Sequence, residues 1–463
     1  MNDKLNSFYK SLKNKTVTFI GLGRSHRELF PLFISKGAKV ILRDRRSREE
    51  IGEEADQLEA MGVKLIVGDR YLDFLGCEDM ILRTPGFYYL NPALQKARSY
   101  GAFITSEIEL FFDFCPCKIY AITGSDGKTT TSSIIAEFLK AQGYKVFLGG
   151  NIGFPLLPHI DEIGPNDRAV VELSSFQLIS MRKSPDVSVV TNVSPNHLDV
   201  HKDMAEYINS KKNIYLHQSG LGRTVLNADN EITASFLPET RGEVFQFSRK
   251  TKLSLGSYLG DDGILYMSTR QGRTPVLHMD EIKIPGVHNV ENYLAAISAV
   301  WDEVSQENII SVAKNFGGVE HRIEFVRELN GVKWYNDSIA SSPTRTIAGL
   351  NSFKKKIILI AGGYDKNIPF EPLAPKIMEK VKVLILMGLT APKIEAAVTQ
   401  CKEYNPKKLT IIHVKSMQEA VLAAKKYAVK GDIVSLSPAC ASFDLYPDFE
   451  ARGRHFKQLV REL

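Results

Sequence analysis

Residues 122–130 read Ile122-Thr123-Gly124-Ser125-Asp126-Gly127-Lys128-Thr129-Thr130. An apolar run of strand type, Lys118–Thr123, enters two spaced glycines, and a helical pattern follows over residues 130–142. Strand, glycine turn and helix in that order aim backbone N–H groups at phosphate oxygens, and the helix N-terminus adds partial positive charge. Lys128 then reaches the β- and γ-phosphates, and the Thr129 hydroxyl is a ligand for Mg²⁺. Gly124, Ser125, Asp126, Gly127, Lys128, Thr129 and Thr130 form the candidate nucleotide-binding set. The commonest phosphate-loop pattern, G-x-x-x-x-G-K-[ST], has its first glycine at position 122, which is isoleucine here; the local string is T-G-x-x-G-K-T-T.

Further groups with chemistry follow at the ends of other apolar runs. Glu172 closes the run at residues 168–173, and a carboxylate at a strand end sits where α/β sheets place ligands and offers the oxygen that Mg²⁺ prefers. Past the next run, Thr191-Asn192-Val193-Ser194-Pro195-Asn196-His197-Leu198-Asp199 adds a histidine. Read alone, Glu172 is equally a capping carboxylate and His197 a structural histidine; their place in one βα series with the phosphate loop favours metal binding. The turn Gly150-Asn151-Ile152-Gly153 offers an amide to a substrate carbonyl. Nearer the start, Gly21-Leu22-Gly23 follows a strand-like run and Asp44 ends the next, but position 26 is histidine where G-x-G-x-x-G needs its third glycine. That loop, with Arg24 and Ser25, is suited to a diphosphate, and Arg45 and Arg46 to charge-assisted contacts.

These groups need strands to present them. Strand candidates in the first hundred residues are 16–23, 39–44, 63–68 and 80–86, with helical patterns such as 47–61 between them, and this alternation argues a parallel sheet. Runs at 118–123, 168–173 and 187–192 make a second series. Short extended pieces over 242–284 read as a small antiparallel layer, and 290–304 as a helix. After Phe316-Gly317-Gly318, a hinge candidate, come strands at 356–361, 383–387, 410–414 and 432–436 and a helix at 416–429. The expected domains are 1–109, 110–318 and 319–463. With 463 residues, 59 Lys+Arg against 53 Asp+Glu, a net charge of +6 and five cysteines, the composition is that of a globular chain. So small a charge excess calls for no nucleic acid. No apolar run has the length of a membrane span, the start is polar with no signal-peptide core, and the cysteines form no zinc pattern. A cytoplasmic protein with reduced thiols, a monomer with no membrane insertion, is expected.

Together the strings T-G-S-D-G-K-T-T, G-N-I-G, V-E-L-S-S-F-Q-L and T-N-V-S-x-x-H-L-D stand in the order they take in the Mur ligases, and the first is also similar to the ATP loop of folylpolyglutamate synthases. Across essentially the whole chain the resemblance is to the D-glutamate-adding branch of the Mur family. It implies a Rossmann-like N-terminal domain, a central P-loop ATPase-like domain and a Rossmann-like C-terminal domain. The implied activity is an ATP- and Mg²⁺-dependent amide ligase of peptidoglycan synthesis, adding D-glutamate to UDP-N-acetylmuramoyl-L-alanine through an acyl phosphate. Thr129, Glu172, His197 and Lys211 are implied around Mg²⁺, with Lys211 carbamylated and Lys212 the neighbouring register. Asn151 and Ser174 are implied along the muramoyl-alanine substrate, and the uridine diphosphate near Arg24, Ser25, Arg45 and Arg46. Asn292, the second asparagine of His288-Asn289-Val290-Glu291-Asn292, is implied at adenine; Arg322 and Asp337 at the nucleotide phosphates and ribose; Ser341, Lys366, Ser442 and Phe449 at D-glutamate. Lys128, His197, Lys211 and Asp337 form the implied catalytic set.

One position departs from that pattern. The commonest form of this branch reads D-S-K-A-[TS], and this chain reads Asp337-Ser338-Ile339-Ala340-Ser341. A cation at position 339 is missing and must come from elsewhere or be dispensable. The D-N-P-R string that recognises diaminopimelate in a sister ligase is absent, which favours glutamate as acceptor. A nicotinamide dehydrogenase would use Gly21, Gly23 and Asp44 but leaves the phosphate loop unexplained; a non-catalytic nucleotide-binding protein would keep Lys128 but need no Glu172, His197 and Lys211.

Overall fold

The computed structural model describes residues 3–195, 200–366 and 368–463. Among the described residues the strands form three sheets. The first holds β1 (Thr16–Ile20), β2 (Lys39–Asp44), β3 (Lys64–Val67), β4 (Met80–Arg83) and β5 (Phe103–Thr105), all parallel, in the order β3-β2-β1-β4-β5. The reversal of order at β1 opens a crevice at the carboxyl ends of β1 and β4, where doubly wound sheets bind ligands.

The second sheet runs from β6 (Lys118–Thr123), β7 (Val146–Gly150), β8 (Arg168–Glu172) and β9 (Val187–Val190) through β10 (Arg223–Asn227), β11 (Glu243–Ser248) and β12 (Gly256–Leu259) to β13 (Ile264–Thr269) and β14 (Gly272–His278). Its order is β14-β13-β12-β11-β10-β9-β6-β8-β7. The separate antiparallel layer expected over residues 242–284 is therefore corrected. β11 and β12 continue the central sheet in parallel, and the antiparallel pairs are confined to β12–β13 and β13–β14, with a register shift between Leu265 and Tyr266. Short strands separated by glycines look alike whether their partner lies beside them or far back in the chain. β6 lies between β8 and β9, so the ends of those three strands, with the phosphate loop, Glu172 and Thr191, share one edge.

The third sheet holds β15 (Glu324–Leu329), β16 (Val332–Asn336), β17 (Ile357–Ala361), β18 (Val381–Leu386), β19 (Thr410–His413) and β20 (Ile433–Leu436), ordered β15-β16-β20-β17-β18-β19. Only the β15–β16 hairpin is antiparallel. β17 is an unbroken apolar run, IILIA, and every residue of it is buried, as befits a strand covered on both faces.

The chain divides into two compact units, 1–281 with 290–314, and 282–289 with 315–463. Gly317-Gly318 lies inside the second unit. Two local readings also change. The helical pattern at 47–61 is cut by Gly52 (φ 67) into Arg48–Ile51 and Glu53–Ala60. The polar start holds a helix, Asp3–Ser11, which buries Leu5 and Tyr9 four residues apart on one face.

Within the first unit, buried charges tie the first two sheets together. Arg83, at the end of β4, donates to the Phe176 carbonyl at 2.9 Å and the Ser180 hydroxyl at 2.7 Å. Tyr88 donates to Glu206 at 2.6 Å. Glu107 accepts the backbone N–H groups of Leu156 and Leu157, both at 2.9 Å. Burial pushes the Glu107 carboxyl up to about 7. A raised folded-state value means that ionised Glu107 costs stability, fully above pH ~7 and not at all below the ordinary carboxylate range. Glu107→Gln keeps the acceptor oxygen and removes the charge. It is expected to be more stable than the parent at pH 8, by on the order of 3 kcal/mol at most, with the gain fading as pH falls toward 4.5. Denaturant titrations at the two pH values check this; a less stable variant at pH 8 would contradict it.

Candidate active site

The phosphate loop is a backbone cradle whose shape depends on two glycines. Gly124 has φ +150, and a Cβ there would lie 1.9 Å from the Thr191 hydroxyl. Gly127 has φ +78 at the N-cap of the helix Lys128–Ala141, and its Cβ would lie 2.5 Å from Asn292 Oδ1. The segment after β9 braces the loop from outside. Ser125 N–H donates to the Asn192 carbonyl (2.8 Å), Asp126 N–H to Asn192 Oδ1 (3.0 Å) and the Thr191 hydroxyl to the Asp126 carbonyl (2.6 Å). Asn292 also accepts from the Thr131 hydroxyl at 3.2 Å. Its side chain thus supports the loop from behind, in addition to the adenine role implied for it.

Lys128 Nζ curls back over the loop and donates to the carbonyls of Gly124 and Ser125, each at 2.9 Å. Lys211, on the helix Met204–Lys212, reaches the same Gly124 carbonyl at 2.8 Å and is buried. Burial first, and the like charge of Lys128 second, hold the Lys211 amine down to about 7. Lys212 points elsewhere, to Glu239 at 2.6 Å. Of the two lysines, Lys211 is therefore the one at the phosphate loop.

Glu172 is the centre of the arrangement. Only 1% of it is exposed. One carboxylate oxygen accepts from the Thr129 hydroxyl and the other from the Asn151 amide, both at 2.7 Å. A buried carboxylate whose lone pairs are oriented by two neutral donors suits a hard cation with oxygen ligands. His197 lies outside the described residues.

Asn151 also lines a cavity of about 420 Å³ in the first unit, together with Gly23, Arg24, Ser25, Thr84, Gly86, Glu107 and Gln177. Arg24, Ser25 and Asn151 are thus brought to one chamber, which opens at the crevice of the first sheet. Ser174 stands one residue group away, its hydroxyl donating to Gln177 Oε1 at 2.9 Å in a reciprocal cap. Arg45 and Arg46 do not line the cavity. Arg46 is engaged with Asp44 through its Nε at 3.0 Å and Nη2 at 2.9 Å, while Arg45 is exposed. Asp44 in turn accepts the Leu22 N–H at 2.7 Å, so this pair shapes the first glycine loop.

In the second unit the loops after β16, β20 and β17 meet. Arg452, buried on the C-terminal helix Phe449–Glu462, donates to the carbonyls of Ser338, Cys440 and Ala441 and to the Ser338 hydroxyl. The Ser338 hydroxyl donates on to the Phe449 carbonyl at 2.8 Å. Tyr364 N–H donates to Ala441 at 3.0 Å, which joins the loop of Lys366 to that of Ser442. Lys366 is exposed, Ser442 buried, and Ser341 and Phe449 half-buried. Asp337 is buried and accepts from the Ser437 hydroxyl (2.7 Å) and the Ile323 N–H (3.3 Å); burial pushes its carboxyl up to about 7. Burial also pushes the Cys440 thiol up to about 11, so it is no nucleophile at neutral pH.

Several residues of these networks escaped the sequence reading. Tyr207 packs its ring 4.7 Å from Lys211 Nζ and its hydroxyl lies 2.9 Å from that of Ser125. The i,i+4 spacing to Lys211 was the available signal. His201 bonds Ser175 at 2.9 Å and stacks on Phe176; it, Glu206, Arg83 and Arg452 carry no local signature, because a buried charge reads like a surface one.

A phosphate loop, a buried carboxylate facing it and a three-sheet α/β architecture agree with what the comparisons find. The Mur ligase middle domain matches residues 122–300, and the Mur ligase glutamate ligase domain matches residues 321–440. The chain belongs to the Mur ligase family, whose members are ATP-dependent ligases forming C–N bonds. It is 52% identical to the UDP-N-acetylmuramoylalanine–D-glutamate ligase of Acetivibrio thermocellus and 50% identical to that of Clostridium acetobutylicum, covering 100% of both chains in each case. Among solved structures it is similar in fold to UDP-N-acetylmuramate-alanine ligase from Thermotoga maritima (TM-score 0.57, 19% identity, 97% of this chain and 100% of that one). MurF from Acinetobacter baumannii is similar too (TM-score 0.58, 15% identity, 98% of this chain and 92% of that one).

Gly124→Ala is expected to displace the loop, because the new methyl meets the Thr191 hydroxyl, which is itself held by two carbonyls. Affinity for a non-hydrolysable ATP analogue, measured by calorimetry, should fall at least about tenfold. Unchanged affinity would show that the loop tolerates a side chain there.

Proposed function

We propose that this chain uses ATP to join the amine of D-glutamate to the alanyl carboxylate of UDP-N-acetylmuramoyl-L-alanine. The observation that carries this reading is the placement of Glu172, one oxygen on Thr129 of the phosphate loop and the other on Asn151 of the cavity. A single buried carboxylate thereby joins the nucleotide side to the chamber that suits the muramoyl substrate. In the reaction the terminal phosphoryl group of ATP passes to the substrate carboxylate, giving an acyl phosphate and ADP. The amine of D-glutamate then attacks the acyl carbon; the C–N bond forms, the C–O bond to phosphate breaks, and the amine loses a proton.

Catalysis on this reading is positioning and charge stabilisation. The loop N–H groups from Gly124 to Thr130 and Lys128 hold the phosphates, while Arg24 and Ser25 face the diphosphate of the substrate. Thr129, Glu172, Lys211 and, by family pattern, His197 would hold Mg²⁺, which when bound offsets phosphate charge. Lys211, with its amine near 7, is substantially unprotonated at neutral pH and can take up carbon dioxide. The N–C bond forms, a proton goes to water, and the resulting carbamate is an anionic oxygen ligand. In the second unit Arg322 and Asp337 serve the nucleotide, while Ser341, Lys366, Ser442 and the backbone at Phe449 serve D-glutamate. The protein acts in the cytoplasm, as a monomer, on these small molecules. Among the described residues no helix is long and apolar enough to cross a membrane.

Phosphate release from ATP with UDP-N-acetylmuramoyl-L-alanine, compared for D-glutamate, L-glutamate and L-lysine, tests the reading. Release and product are expected with D-glutamate alone; preference for either other acceptor would overturn the assignment. A second outcome concerns the carbamate. Lys211→Ala should lose most activity and regain part of it with short carboxylic acids, not with alkylamines. Rescue by amines alone would make Lys211 a cation in the reaction.

A further inference from the structure

Arg345 lies in the first turn of the helix Pro343–Asn351, whose N-cap Ser342 makes no side-chain cap. The helix packs directly over Asp337, as a Cβ on Gly349 would come within 2.7 Å of Asp337 Oδ2. From that turn Arg345 reaches back, and its Nη1 donates to the Ile339 carbonyl at 3.2 Å. Arg322 precedes Ile323, whose N–H donates to the other oxygen of Asp337. Arg345, an exposed residue on that helix, and Arg322, on the segment before β15, both act by charge on the buried Asp337. Neither forms an ion pair with it among the described residues, where Ser437 and Ile323 occupy its oxygens. Their charges act on Asp337, and they repel one another: after desolvation, the charge of Arg322 is the chief cause holding the Arg345 guanidinium below its ordinary value.

Two positive charges against one negative charge leave the group a net cation. Side chains of like charge that share a site without a carboxylate clamp are arranged for an anion from outside. We propose that Arg345 is an anion-binding residue of this ligase, acting with Arg322 on a phosphate group and supplying the positive charge that position 339 lacks. This rests on the ligase reading above. The guanidinium is hydrogen-bonded to the Ile339 carbonyl, so its charge stands beside the backbone of the residue whose own side chain carries none. A planar fork reaching that place from a helix turn presents parallel N–H donors, as tetrahedral phosphate oxygens require.

The test is a set of variants in the phosphate-release assay, with KM for ATP, KM for D-glutamate and kcat measured separately. Arg345→Ala, and Arg345→Gln, which keeps a donor for the Ile339 carbonyl, are each expected to lower kcat/KM for ATP by about 10- to 100-fold, with KM for D-glutamate moving less than threefold. Restoring a cation from the other position, Ile339→Lys in the Arg345→Ala background, should recover at least tenfold of that loss. A merely structural role for Arg345 would not be repaired by a charge placed at 339. Arg345 variants within twofold of the parent, or a folded double variant no better than Arg345→Ala, would overturn the inference. So would a loss confined to D-glutamate, which would place Arg345 at the acceptor. A parent chain that releases no phosphate would overturn the ligase reading and this inference together, whereas an active parent with indifferent Arg345 variants would overturn this inference alone.

Discussion

The first unit depends on one buried carboxylate. Glu172 ends β8, is enclosed, and among the described residues accepts from a hydroxyl and an amide. A buried carboxylate is kept where charge or oriented donors meet it, and here the donors belong to the phosphate loop and to the cavity wall. Lys128 and Lys211 donate to carbonyls of the phosphate loop, and the charge of Glu172 acts on Lys211. The site thus sets ammonium groups and a carboxylate around one loop, a set suited to phosphates and a metal.

The second unit solves a different problem with a cation. Arg452 collects three backbone carbonyls from two loops that the sheet order places side by side, β16 next to β20. Its hydrogen bonds go to backbone and hydroxyl oxygens, the charge of Asp444 acts on it, and desolvation lowers its value to about 10. The loops that carry Ser338 and Ser442 are therefore fixed from beneath, and the groups above them remain available for ligands. Asp337 stands beside this clamp with its own hydrogen bonds, so the acidic and basic halves of the unit are positioned independently.

Much of this is legible in the amino-acid sequence itself. The phosphate loop, Glu172 and the order of the motifs could be read because strand, glycine turn and helix leave a pattern within a dozen residues. β2 and β6 fall at the residues that their apolar runs mark. Long-range pairing was not legible: the run at 243–259 pairs in parallel with the central sheet through β10, a partner that no local pattern names. Buried charge was equally hidden. Arg83 and Glu107 sit in apolar stretches and Arg452 in a charged one, and in each case the partners are carbonyls, hydroxyls and N–H groups that the local sequence does not name. Arg46 shows the converse, since a basic turn suited to a ligand is engaged instead by the aspartate two residues before it.

The outer rim of the central sheet bears on how the protein behaves in a crowded solution. A nine-stranded sheet has two margins, and an open margin is a template for another chain. At one of them β14 carries Pro275, which has no N–H to offer, and the neighbouring pair is offset at Leu265 and Tyr266. Arg273 adds charge on the same strand. A foreign strand approaching that margin meets an irregular pair and a cation, and finds the Pro275 and Val276 carbonyls already bonded by the Gln306 side chain. The hairpin that closes the sheet therefore also guards it against growth into fibres.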